Sequence, residues 1–306
     1  MSALRAYAQL VRLPNLPTAL ADITLAALAT TALPDRWAPF VVLLLASSCL
    51  YLSGMAFNDV FDVAEDRRDR PERPIPSGRV SIRAAAWLGA ALMTTGLALA
   101  TLAGWLLWRS EQATSMVGPP LLAGLLAAAI LLYDGWLKHT ALGPVAMGSC
   151  RFLNVLLGVS VSGSLVWPLG PHLGLVIGLY IVGVTWFART EATTSRRPAL
   201  AGAAAVMLTA LLLALPLAVQ VPPERVSVLF PYLLVALGYF LALPIRRALR
   251  APTPANVQSA VKRSLMGLLL LDAVCATATA GTVGLVVLVL LIPSIYLNRR
   301  RWLYAT

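Results

Sequence analysis

This 306-residue chain is short of charge, cysteine and histidine. Charged residues make up 12% of it and hydrophobic residues 59%, which excludes an ordinary soluble globular composition. The three cysteines, Cys49, Cys150 and Cys275, all fall in apolar runs. An odd number of thiols so placed argues against a disulfide framework and for packing. The two histidines, His139 and His172, lie far apart in loops and show no metal-ligand spacing. The apolar runs lack period-two alternation, so a membrane barrel is excluded and helices remain as the spanning form. The N-terminus lacks a signal peptide's short apolar core and small-residue cleavage site, so it is expected to stay on the chain. No segment reads as a separate soluble domain, and residues 1–306 are expected to form one integral membrane domain.

What the chain does have is a series of runs long enough to cross a bilayer. Hydropathy places spans near 16–33, 38–57, 84–108, 117–134, 142–165, 168–188, 199–219, 228–248, 262–277 and 279–297. The expected fold is therefore all-α, a polytopic bundle of transmembrane helices. The net charge of +11 invites a nucleic-acid partner, but its distribution argues against one. If spans alternate, twenty lysines and arginines fall on one side, and only Arg36, Arg109 and Arg225 on the other, with Arg151 inside a span. That asymmetry is the positive-inside rule, and it puts the N-terminus at the cytoplasm. The rule also bears on span number: with two spans after residue 262, Arg299 to Arg301 return to the basic side, so ten spans are favoured over nine. The implied location is the cytoplasmic (inner) membrane. Trp37, Trp105, Trp108, Trp136, Trp167, Trp302 and Tyr304 lie near span ends, as an interfacial belt requires.

Acidic residues are scarce, thirteen in all, and six of them crowd into FNDVFDVAEDRRDRPERPIPSG at 57–78: Asp59, Asp62, Glu65, Asp66, Asp69 and Glu72. If the second span continues as a helix past Asn58, then Asn58, Asp59, Asp62 and Asp66 stand three and four apart on one face. Like charges so placed repel unless cations lie between them. Oxygen-only ligands suit a hard cation, and Mg²⁺ typically combines one or two carboxylates with waters and substrate phosphates. Arg67, Arg68, Arg70 and Arg73 are placed to add charge-assisted contacts to the same phosphates. The competing reading is a solvated juxtamembrane loop of paired charges.

The ordered pattern NDxxDxxxD followed by RPxRPIPSG resembles the first signature of the UbiA superfamily of intramembrane prenyltransferases. The matching residues are Asn58, Asp59, Asp62, Asp66, Arg73, Pro74, Pro76, Ser77 and Gly78. Weaker likeness extends to RLPNLPTA at 12–19, LLYDGWLK at 131–138 and GSCRFLNVLLG at 148–158. The last of these, with AVKRSLMGLLLLDA at 260–273, is most similar to the EboC-like branch. The resemblance implies a bundle around a central cavity open to lipid, and a prenyl diphosphate donor bound through Mg²⁺. It implies Asn58, Asp59, Asp62 and Asp66 as the first metal-binding set, with Asp59, Asp62, Asp66 and Arg73 in the chemistry. The implied partners are the donor, a small-molecule acceptor with an aromatic or polar ring, and the bilayer. An intramembrane terpene cyclase and a non-catalytic isoprenoid-lipid binder or transporter are the alternatives.

The chain departs from the family in the second loop, FARTEATTSRRPALAG, where Glu191 is the sole carboxylate and Arg189, Arg196 and Arg197 supply positive charge. Either arginines replace a second cation there, or a second metal binds weakly through Glu191. Polar groups inside spans are costly in lipid and so mark function or pairing. Arg151 and Asn154 share a face, Arg151 to meet pyrophosphate and Asn154 to orient substrate, or else both to pair with Asp22, Asp134 or Asp272. Lys138 is either a topology charge or a phosphate ligand. Asp272 reads as a packing or proton-linked partner, and Asn15 matches a family position lining the cavity.

Overall fold

The computed structural model describes residues 3–189 and 196–299, and within them every regular element is a helix. In chain order these are α1 (Ala3–Leu10), α2 (Leu16–Ala29), α3 (Trp37–Phe61), α4 (Val63–Asp69), α5 (Ile82–Arg109), α6 (Gly118–Gly135), α7 (Gly143–Val159), α8 (Leu169–Ala188), α9 (Arg197–Ala214), α10 (Phe230–Arg250), α11 (Pro254–Ala280) and α12 (Leu291–Arg299). Among the described residues, eight helical stretches are long and apolar enough to cross a membrane, and Leu13–Ala29 is a shorter apolar helix. Proline opens many of these helices, at the first turn of α2, α6, α7, α9, α10 and α11, where its missing N–H costs nothing. Ser81 and Thr253 cap α5 and α11 by accepting the N–H groups of Ala84 and Asn256.

Two buried apolar clusters share α2 and α7. One joins them to α3, α5 and α6, the other to α8, α9, α10 and α11. α2 and α7 therefore form the centre of the bundle. The outward faces carry Trp87, Leu121, Val235 and Tyr239, all exposed, which in water would be a large unpartnered apolar surface and in lipid is the expected one. Trp37, Trp105, Trp108, Trp136 and Trp167 are likewise exposed near helix ends. All three cysteines are free.

The break near residue 278, which no polar turn announces, falls at Gly281. Its φ of 69° and ψ of −158° are open to glycine alone. The chain then folds back as a 3₁₀ stretch, Gly281–Leu290, against α11. α12 continues toward the Leu13–Asn15 turn at the start of α2. The approach is tight: a Cβ on Gly284 would stand 2.4 Å from the Ala276 carbonyl carbon and 2.5 Å from the Thr277 nitrogen. Backbone atoms cannot yield as a side chain can, so Gly284→Ala is expected to destabilise the protein by at least the 1–3 kcal/mol typical of overpacking. A thermal melt in detergent measures this, with Gly124→Ala, where a Cβ meets open space, as the control.

Candidate active site

α3 does run past Asn58, as the apolar pattern requires, and ends at Phe61. Asp62 is the joint between α3 and α4, with φ −86° and ψ 3°. The four expected ligands therefore do not act as one row. Asp59 and Asp66, both buried, share Arg73, whose Nη1 lies 2.9 and 2.7 Å from the two Asp66 oxygens and 3.5 Å from Asp59 Oδ1. Arg12 adds a second cation, donating to Asn58 Oδ1 at 3.0 Å and Asp59 Oδ1 at 3.2 Å. Its backbone is left-handed, φ 46° and ψ 48°, a conformation that costs a non-glycine residue about 1–3 kcal/mol and here aims the side chain at α3. Like-charge repulsion between Asp59 and Asp66 is relieved by these two guanidinium groups. Charge scattered through the sequence thus converges on one buried knot.

Asp62 faces elsewhere. Its Oδ1 is 2.5 Å from Lys138 Nζ and 3.9 Å from His139 Nε2. One ligand atom each from Asp62, Glu65 and His139 lie within 4.8 Å of one another, a grouping able to hold a metal ion. His139, which shows no metal-ligand spacing along the chain, reaches this grouping through the fold. The 3₁₀ turn Leu137–His139 after α6 delivers His139, and no spacing along the chain could reveal that. Asn58 bridges the two halves: it accepts from Arg12 and donates to Asp134 Oδ1 at 2.9 Å.

Below Asp134 lies a cavity, partly open to the outside, between α2, α3, α6 and α7. Its walls include Gly54, Met55, Leu126, Ile130 and Met147, with the rings of Tyr51 and Tyr133. Along α3 it reaches from Met55 to Ser47, about 12 Å at 1.5 Å per residue. The floor is polar. Ser47 donates to Asn154 Oδ1 at 2.7 Å, and Asn154 donates to Asp22 Oδ2 at 2.8 Å and to the Ala19 carbonyl at 3.0 Å. Arg151 donates to Asp22 at 3.1 Å and to Thr18 Oγ1 at 2.8 Å. Of the two readings of Arg151 and Asn154, this structure holds the pairing with Asp22. Asp272 of α11 is fully buried beside this network, with its carboxyl against that of Asp22.

The remaining candidates are dispersed. Arg67, Arg68 and Arg70 are exposed on α4 and just beyond it. Asn15 is half-buried at the start of α2. Arg189 is exposed and donates to the Thr140 carbonyl at 2.6 Å, which ties the end of α8 to the loop carrying Lys138 and His139. Glu191 lies outside the described residues.

The profile of the UbiA prenyltransferase family matches residues 15–268. The chain belongs to that family. Over 106 residues it is 37% identical to a digeranylgeranylglyceryl phosphate synthase of Metallosphaera sedula, covering 34% of this chain and 33% of that protein. Over 94 residues it is 42% identical to the protein of the same name from Ignicoccus hospitalis, covering 30% of each. These alignments span about a third of the relatives' length. Two solved structures share the fold nearly end to end. A structure titled as insights into the biosynthesis of digeranylgeranylglyceryl phosphate synthase in membranes aligns at a TM-score of 0.65 and 20% identity, covering 92% of this chain and 99% of the other. The apo structure of a UbiA homolog from Aeropyrum pernix K1 aligns at 0.63 and 20% identity, covering 86% and 96%.

Proposed function

We propose that this membrane protein transfers a prenyl group from an isoprenoid diphosphate to a small acceptor, at the cytoplasmic face of the inner membrane. The observation that carries the reading is the join between two environments. An apolar cavity ends at Asp134, which accepts from Asn58 directly under a cluster of carboxylates, arginines and a lysine. A prenyl diphosphate has those two halves in that order. Membership of a prenyltransferase family and relatives named for a prenylated glyceryl phosphate point the same way.

Ionisation breaks the allylic C–O bond, and both its electrons leave with pyrophosphate. A new bond to the acceptor then forms, and the acceptor loses a proton. Lys138, Arg12 and Arg73 are placed to stabilise the departing charge. The apolar cavity walls keep water from quenching the cation, and Tyr51 and Tyr133 are the aromatic residues in that lining. Asp62 and Glu65 are carboxylates whose oxygens fit a hard divalent cation, and Lys138, paired with Asp62, would stand beside the diphosphate such a cation holds. Bound there, Mg²⁺ would supply further charge neutralisation to the leaving pyrophosphate.

Purified protein incubated with allylic diphosphates of increasing length is expected to release pyrophosphate only with a divalent cation present. Asp62→Asn should lower that rate by about 10²–10³, the usual loss when one charge-stabilising contact is removed. Release unchanged in the variant, or independent of metal, would overturn the assignment of Asp62. No release with any donor, even with lipid extract as a source of acceptor, would overturn the activity itself.

A further inference from the structure

The sequence pattern alone implies an oxygen-only site, but the structure places an imidazole beside it. We propose that His139 is a ligand of the cation held by Asp62 and Glu65, so that the site prefers Mn²⁺ or Co²⁺ to Mg²⁺. This deepens the reading above and rests on it only for the location of the site. Three observations carry it. His139 Nε2 stands 3.9 Å from Asp62 Oδ1, and the three ligand atoms lie within 4.8 Å of one another, the spread one ion can bridge. The Glu65 carboxylate forms no ion pair among the described residues although arginines follow it at 67, 68 and 70.

The third observation is Lys138. Its side chain is only 9% exposed, and the partner its Nζ meets among the described residues is Asp62 Oδ1, at 2.5 Å. A buried ammonium carries three N–H donors, and one carboxylate oxygen does not satisfy them. The donors left over can be met by an anion at the same place. Carboxylates and imidazole on one side and an ammonium on the other describe a site for a cation that bridges to an anion, as a metal diphosphate does.

Imidazole favours Mn²⁺, Co²⁺ and Zn²⁺ over Mg²⁺, whose preference is for carboxylate, carbonyl and water. Affinity should rise from Mn²⁺ to Co²⁺, in the usual order for first-row ions. The anchoring Asp62 and the competing Lys138 are common to all these ions, so His139 alone should set the ranking.

The test is metal binding to the full chain in detergent, with no isoprenoid present. Co²⁺ titration followed by visible absorption, and Mn²⁺ titration followed by loss of the free-ion resonance, give affinity and ligand type. Wild type is expected to bind Mn²⁺ at least about tenfold more tightly than Mg²⁺, measured by competition. His139→Ala should weaken Mn²⁺ and Co²⁺ by about tenfold or more, move the Co²⁺ band, and change Mg²⁺ affinity by less than about threefold. Because His139 is 60% exposed, the variant is expected to melt with wild type, and Glu65→Gln gives an independent second probe. A His139→Ala protein with unchanged Mn²⁺ affinity and an unmoved Co²⁺ band overturns the proposal. So does a wild type that binds none of these ions. Loss of transferase activity with metal binding intact would instead count against the functional reading alone.

Discussion

Arg73→Leu is expected to destabilise the protein by about 3–5 kcal/mol, the cost of removing one partner from a buried ion pair. The magnitude follows from what is left behind. Asp59 and Asp66 are 4% and 3% exposed, and Arg73 neutralises both. Leucine fills comparable space but leaves Asp66 without a cation and Asp59 with Arg12 alone. The two carboxylates would then repel each other in a partly dehydrated setting. Arg68→Leu, an exposed position on α4, should change stability by no more than about 0.5 kcal/mol. Adding Asp66→Asn to Arg73→Leu should recover a large part of the loss, because the two residues share one contact and their effects do not add. Melting temperatures of the four proteins in one detergent give the result. Equal melting of Arg73→Leu and Arg68→Leu would mean that the knot is solvated and that its arginines serve substrate alone.

That knot shows where the sequence could be read and where it could not. The helical continuation past Asn58 was legible, because an apolar run followed by polar residues at helical spacing has few alternatives. The all-helical membrane fold was legible for the same reason, since runs of this length have one economical solution in lipid. The partition of the carboxylates was not. Spacing arithmetic assumes an unbroken helix, and the joint at Asp62 turns that side chain away from Asp59 and Asp66. Arg12 was counted only as a topology charge, because its left-handed backbone has no signature in RLPNLP. His139 meets Asp62 across the gap between α6 and α3, and only tertiary structure supplies such a neighbour. The turn at Gly281 was hidden by apolar residues on both sides, where the usual polar marks of a reversal are missing.

Arg151 is where sequence left two roles open, and Arg151→Leu decides between them. In this structure both of its Nη atoms are engaged at the cavity floor, by Asp22 and Thr18. Arg151 lines the same cavity as Met55 and Asp134. Its role follows from charge. Asp22 and Asp272 are both fully buried, and Arg151 is the cation that faces them. Removing it strands two carboxyl groups among apolar helices, which should again cost about 3–5 kcal/mol and melt the protein earlier. A structural role makes a further demand. Asp22→Asn combined with Arg151→Leu should restore most of the stability, since the neutral amide keeps its contact with Asn154 without needing a cation. Pyrophosphate release should return with it. A double variant that melts like wild type yet releases no pyrophosphate would move Arg151 from the frame of the cavity to its chemistry.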